Sequence, residues 1–251
     1  MQIIDRAFEL LELLSKNKGG YMISELSEKL DVPISSVHRL LSSLKKNNYI
    51  VQDPQNKRYK LGLKVLNLAV NLLNNYDIRN IARTYLEALC SKHGEAVFLT
   101  IFENEIAVCI DTVMNENSCK FFVRIGREMP IHAAVAGQVI LADADEEMID
   151  SVLKKTDYIQ YTPYTITDPE KLKQKLKEIK KMGYGICDEE LEIGVQAFGV
   201  PIRDHSGKAI ASITMLRIKT GNNIEKEKLE DLKKTAFDIS LALGYRPVHL
   251  G

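Results

Sequence analysis

No apolar run in this 251-residue sequence is long enough to cross a bilayer, and nothing at its start reads as a secretory leader, so a cytoplasmic protein is expected. Cys90, Cys109, Cys119 and Cys187 include no C-x-x-C pair. The isolated Cys90-Ser91-Lys92-His93 has no second pair to complete a zinc site, so reduced structural thiols are expected, with no metal and no cofactor. Gly183-Tyr184-Gly185 lacks the Lys-Ser/Thr sequel and preceding strand of a phosphate loop and reads as a helix stop. No nucleophile has an adjacent base in a recognisable arrangement, which argues against an enzyme. Internal repeats and low-complexity segments are also missing.

A net charge of zero hides an asymmetry. Residues 1–76 carry eleven cations against seven anions, while the remainder carries 23 against 27. A head of +4 on a body of −4 points to nucleic acid meeting the head alone. With 45% hydrophobic and 27% charged residues, the chain can build two cores.

Within the head, Val37, Leu40, Leu41 and Leu44 recur at the spacing of one helix face over 34–46. The opposite face centres on Ser35, Arg39, Ser42 and Lys46, flanked by Ser36, His38, Ser43 and Lys45, with no carboxylate. Short hydroxyls interleaved with cations suit phosphates and major-groove base edges. The bland alternative for Arg39 is a local pair with a head carboxylate, and for each serine a solvated hydroxyl. Upstream, Ile23–Leu30 reads as a short helix, broken at Asp31-Val32-Pro33, and 2–16 reads as a first helix with Ile3, Ala7, Leu10, Leu11 and Leu14 inward. Downstream, Tyr49–Val51 and Arg58–Leu61 flank a turn and form a hairpin wing whose Lys57 and Arg58 are candidate backbone or minor-groove contacts. Helix, turn, amphipathic helix and wing make a winged helix-turn-helix, with a recognition helix for the major groove of duplex DNA.

After Gly62, the segment 63–73 is helical in pattern and apolar over much of its surface, so it must be covered, either by the rest of the chain or, in the preferred reading, by a second copy. The division expected is 1–61 winged helix-turn-helix, 62–76 linker helix and 77–251 sensor domain. In that last part a helix at 78–93 precedes strands at 96–102, 106–113 and 121–125. Helices at 132–142, 145–155 and 169–182 come next, then strands at 197–202 and 208–215, then a helix at 225–243. Hairpins mixed with helices indicate an antiparallel sheet with helical cover, so the whole is a two-domain α+β chain. Asp188-Glu189-Glu190 reads as a solvated acidic turn rather than acid–base or metal-binding carboxylates, and His132 as a structural hydrogen-bonder rather than a ligand contact.

The ordered landmarks Val37-His38-Arg39-Leu40-Leu41, Tyr59-Lys60-Leu61-Gly62, Gly126 to Gly137, Gly183-Tyr184-Gly185 to Glu190, Gly194 and Val200 to Gly207 resemble the IclR family of bacterial transcriptional regulators over nearly the whole chain. That resemblance implies a GAF-like C-terminal domain binding a small organic effector, often a carboxylate, and homodimers that pair into homotetramers. Carried over by position, it implies an effector pocket of Met129, Ala134, Val135, Ala136, Cys187, Asp188, Ala197, Thr214 and Leu216. Several positions depart from the polar form of the pattern: Val135 for Gly or Ala, Gln138 for Lys, Cys187 for an acid, Ala197 for Cys or Ser, and Leu216 for a hydroxyl. Fewer hydroxyls favour an effector with more apolar surface.

The function expected is a DNA-binding regulator, with repression favoured over activation, whose operator affinity follows effector binding. The alternatives are a switch through oxidation of Cys109, Cys119 or Cys187, and a thiol enzyme tethered to DNA by its head.

Overall fold

The computed structural model describes residues 2–114, 123–219 and 226–247. The chain divides into two compact units, Met1–Asn75 and Tyr76–Gly251.

In the first unit, α1 (Gln2–Lys16), α2 (Ile23–Leu30) and α3 (Ile34–Lys46) precede a hairpin of β1 (Ile50–Gln52) and β2 (Tyr59–Leu61), followed by α4 (Leu63–Asn74). Leu10 and Leu14 of α1, Leu26 and Leu30 of α2, and Val37 and Leu41 of α3 close on Ile50 and Tyr59 as one core. Between α2 and α3, Asp31 takes the left-handed conformation (φ 51°) and its amide donates to the Glu28 carbonyl, while Ser27 Oγ donates to the Val32 carbonyl at 2.6 Å. The turn is therefore fixed from both sides. One expectation fails here: Ile3 does not join the inner stripe. It is 66% exposed, alongside Ile4 and Phe8 at 62% and 61%, because α1 carries a second apolar face turned away from its own core. On α4 no residue is buried, and Leu63 is 81% exposed.

The second unit begins with α5 (Asp77–His93), stopped by Gly94 in the left-handed region (φ 73°). Its sheet comprises β3 (Ala96–Glu103), β4 (Ile106–Val113), β5 (Glu128–Met129), β6 (Gly185–Asp188), β7 (Val195–Arg203) and β8 (Ala209–Ile218) in the antiparallel order β5-β4-β3-β8-β7-β6. Alternation places Phe98, Cys187, Ala197, Gly199, Ser212, Thr214 and Leu216 on one face, which is covered by α6 (Val135–Leu141). Every residue of α6 is buried. Ser212 Oγ ties it down by donating to the Ala136 carbonyl at 2.7 Å, and Val135 sits over Gly185 and Gly199, where an added Cβ would lie 2.7 and 3.2 Å from its methyl carbons. Packed on α6 is α8 (Pro169–Met182), and on α8 is α7 (Glu146–Lys155). Asp145 and Asp168 cap α7 and α8 by accepting from amides of their first turns. The other face carries α5 and α9 (Lys226–Ala242).

β4 is bulged. Leu99 pairs with Asp111 but Thr100 pairs with Cys109, so Ile110 is an extra residue that reverses the alternation. Cys109 consequently joins the core beneath α6, while Asp111 turns to α5 and meets Arg83 at 2.9 Å and Arg79 at 3.7 Å.

Three sequence expectations need correction. The strand expected at 121–125 is not there over 123–125, and residues 121–122 lie outside the described residues. A turn closed by the Arg127 amide on the Arg124 carbonyl intervenes, and pairing with β4 starts only when the Gly126 amide reaches the Cys109 carbonyl at 2.8 Å. The segment after Gly183, read only as a helix stop and turn, instead supplies the edge strand β6. The helix expected at 132–142 begins at Val135, since residues 131–133 form a turn in which the Ala133 amide bonds the Pro130 carbonyl. Among the described residues, no helix is long and apolar enough to cross a membrane.

Candidate functional site

Burial of Val37 and Leu41 fixes the roll of α3, and with it Ser35, Ser36, His38, Arg39, Ser42, Ser43 and Lys46 are all exposed. No acidic residue occupies its first turn, and Lys45 and Lys46 stand in its last. Among the described residues no carboxylate pairs with Arg39, so its guanidinium is available to a phosphate or a guanine edge. The exposed residues divide into two flanks. Ser36, Arg39 and Ser43 border an open groove formed with Ile3, Ile4, Phe8 and Leu11 of α1 and Val65 and Leu68 of α4, whereas Ser35, His38, Ser42 and Lys46 lie outside it.

The wing separates its two predicted contacts. Lys57 stands exposed at the tip with φ 60°. Arg58 turns inward: its guanidinium donates to both carboxylate oxygens of Glu25 at 3.1 Å and to the Gly20 carbonyl at 2.8 Å. The Met22 amide, followed by Arg58, holds the Glu25 carboxyl below its usual range against the opposing effect of burial. Arg58 thus fastens the wing to the start of α2, and its charge is largely answered inside the head.

In the second unit, a small cavity opens between the sheet and the entry of α6. Met129, Ala134, Val135, Ala136, Cys187, Ala197 and Leu216, all expected from the sequence, line it together with Phe98, Val123, Ala133, Leu191 and Val195. Two expected members do not. Asp188 follows Cys187 on the strand and so points to the opposite face, where Lys219 Nζ meets its carboxylate at 3.0 Å. Thr214 shares the face of Leu216 but lies one rung deeper, paired with Phe98 and Gly199, wholly buried and with no hydrogen-bond partner for its hydroxyl among the described residues. Among the described residues, two of those lining it are charged, Arg127 and Glu192, and they face each other at 3.5 Å. Neither was picked out from the sequence. Arg127 lay within the Gly126–Gly137 landmark, but nothing there indicates the carboxylate 65 residues away.

The acidic turn is not simply solvated. Glu190 is half-buried against Lys175, with Nζ at 2.5 and 2.8 Å from its two oxygens, and burial pushes its carboxyl up despite that partner. Lys219 holds Glu189 at 2.8 Å and, with the Gly194 amide, lowers its carboxyl. Cys187 donates to the Ala133 carbonyl at 3.1 Å, and burial followed by the Glu190 charge pushes its thiol up to about 11. Burial likewise pushes Cys109 up to about 12. Such thiols hold almost no thiolate at neutral pH. Cys119 lies outside the described residues. His132 is 2% exposed and its Nε2 meets the Ile159 carbonyl at 2.9 Å. Among the described residues no three His, Cys, Asp or Glu side chains converge as metal ligands.

Residues 3–54 match the family description "IclR helix-turn-helix domain", and residues 70–241 match "Bacterial transcriptional regulator IclR C-terminal". This chain belongs to the IclR family. Among IclR-family proteins, it is 28% identical over 249 residues to the HTH-type transcriptional regulator XynR of Escherichia coli K12, covering 98% of both chains. It is 30% identical over 254 residues to the transcriptional repressor AllR of Salmonella typhimurium, covering 98% of this chain and 91% of AllR. The solved IclR of Thermotoga maritima superposes with a TM-score of 0.78 at 32% identity, covering 98% of this chain and all of that one. An IclR homologue from Microbacterium hydrocarbonoxydans, solved in complex with 4-hydroxybenzoate, shares the fold with a TM-score of 0.81 at 22% identity, covering 96% and 98%. The protein is thus a two-domain α+β transcriptional regulator of the IclR type, and its relatives are regulators, not enzymes.

Proposed function

We propose that this regulator releases or grips its operator according to whether a small organic effector, a carboxylate with an apolar body, occupies the cavity beneath α6. The observation that carries this reading is a cavity walled by alkyl and aromatic side chains and edged, among the described residues, by one cation, Arg127. The complex of the Microbacterium homologue with an aromatic acid supports it. DNA contact is assigned to Ser35, Ser36, His38, Arg39, Ser42, Ser43, Lys46 and Lys57, with Arg58 positioning the wing. Residues 1–61, 62–76 and 77–251 act as reader, linker and sensor, the sensor being GAF-like, and repression is the mode favoured.

Two copies act together. The outer face of α1 and the unburied α4 form a broad apolar surface bordering α3, and a lone recognition helix has too few contacts for tight specific binding. Two such dimers would form the tetramer.

A duplex selected from random sequence by the full chain, followed by fluorescence anisotropy, tests the reading. Neutralising roughly 6–10 phosphates per dimer gives a slope of log affinity against log salt of roughly −5 to −9. A thermal-shift screen of metabolite carboxylates, with each hit added to the anisotropy assay, finds the effector. A hit that leaves operator affinity unchanged counts against effector control.

A further inference from the structure

The cavity beneath α6 holds an opposite-charge pair in an otherwise alkyl wall. A cation bordering such a wall is costly to leave unpaired, and Glu192 supplies its anion from the chain itself. The match is loose: the closest nitrogen–oxygen approach is 3.5 Å, and the side chains remain 26% and 30% exposed. Glu192 lies in the connection between β6 and β7. Its acidic neighbours are committed elsewhere, Glu189 to Lys219 and the Gly194 amide, Glu190 to Lys175. Ile193 on one side of it is 61% exposed, while Leu191 on the other packs against the core, so the Glu192 side chain can turn on a backbone that stays in place.

We propose that Arg127 is the anchor for the effector's carboxylate and that Glu192 is its resident competitor, an internal anion that the effector must displace. This rests on the reading that the cavity holds the effector. It narrows the ligand to a monocarboxylate whose remaining body is compact and apolar, aromatic or branched aliphatic. A second carboxylate or several hydroxyls would be buried against Ala134, Val195 and Leu216 without partners. An α-keto acid as small as glyoxylate would leave the alkyl wall unfilled. The exchange is charge for charge, so Arg127 is paired before and after. Burial pushes the Glu192 carboxyl up even beside Arg127, so this carboxylate is better solvated once it swings out. What leaves the cavity is the Glu192 side chain alone, while Leu191 stays packed in its wall.

The test is calorimetric titration of the full chain with benzoate, benzamide and glyoxylate, in wild type, Glu192→Gln and Arg127→Gln. Benzoate should bind roughly tenfold more tightly than benzamide, a charge-assisted bond being worth about 1.4 kcal/mol more than a neutral one. Glu192→Gln should tighten benzoate by a further factor of about ten while leaving benzamide unchanged, because only the anion competes with Glu192. Arg127→Gln should erase the preference. Should Arg127→Gln not fold, the Glu192→Gln comparison decides alone. Benzoate affinity within twofold of wild type in Glu192→Gln would overturn the proposal, as would a benzoate preference surviving Arg127→Gln or the absence of any benzoate binding. Glyoxylate binding insensitive to Arg127→Gln would overturn the anchor and leave effector control standing. Benzoate binding as described, with no change in operator affinity, would do the reverse.

Discussion

Gly137 stands in the middle of α6, where helix propensity favours alanine by about 1 kcal/mol. The packing argues the other way. A Cβ at this position would lie 2.6 Å from Ile131 Cδ1 and 2.9 Å from Ala107 Cβ. The isoleucine methyl can swing aside, but the alanine carbon is fixed to the backbone of β4, so helix and strand must separate by roughly 0.6–1 Å to reach ordinary carbon contact. Forcing one methyl into a filled core costs about 1–3 kcal/mol. Because every residue of α6 is buried and Val135 already presses on Gly199, the strain has no free surface to relax into, which favours the upper half of that range. After the propensity gain, Gly137→Ala should lose about 1–2 kcal/mol. For a unit of this size that lowers the melting midpoint by roughly 3–8 °C. Circular dichroism should show the transition of the second unit moving while that of the head stays. Adding Ala107→Gly should recover more of the loss than its own effect allows, a coupling readable from a double-mutant cycle. A Gly137→Ala chain as stable as wild type would refute the close approach of α6 to β4, and with it the wall of the cavity.

Leu41→Ala, which empties a site that is 1% exposed, should cost the head about 2–5 kcal/mol and melt it below the second unit, as seen by two separated transitions. Arg39→Ala should weaken operator binding by about 1–3 kcal/mol. Light scattering must show the same oligomer, since Arg39 also borders the α1–α4 groove. Cys109 and Cys187 should stay unmodified by iodoacetamide at pH 8 in the native chain and react fully in urea, as judged by peptide mass mapping. Modification of either in the folded state would contradict the burial that raises them. Asp231, lowered chiefly by Lys92 and also by His93, and Glu189, lowered by Lys219, each give stability that is present above their unfolded values and lost as pH falls through the folded ones. Glu190, raised by burial, works with the opposite sign over its own window. Urea midpoints should therefore drop below about pH 4, less steeply in Asp231→Asn; equal slopes would dismiss that pair.

The head was largely legible because α2 and α3 each carry one apolar stripe, and a stripe at helical spacing has a single burial solution. The outward face of α1 was misread for the same reason: Ile3 fits the inner stripe by spacing, yet the helix has two apolar faces and only one core to fill. Arg58 was legible as a cation but not as a partner of Glu25, which lies 33 residues away. In the sensor, long hairpins announced themselves, whereas β5 has two residues and β6 four, too few for alternation to register. Most cavity residues were found by motif. Asp188 was not separable from Cys187 without knowing that the segment is a strand, whose alternation sends neighbours to opposite faces.

The extra residue at Ile110 has a consequence for how such a sensor diversifies. Without the bulge, Cys109 and Asp111 would share one face, and any change in the core beneath α6 would fall on the side that anchors α5. With it, one strand gives one side to the core beneath α6 and the other to Arg79 and Arg83. Substitutions on the core side of β4 can therefore accumulate without touching the ion pairs that hold α5.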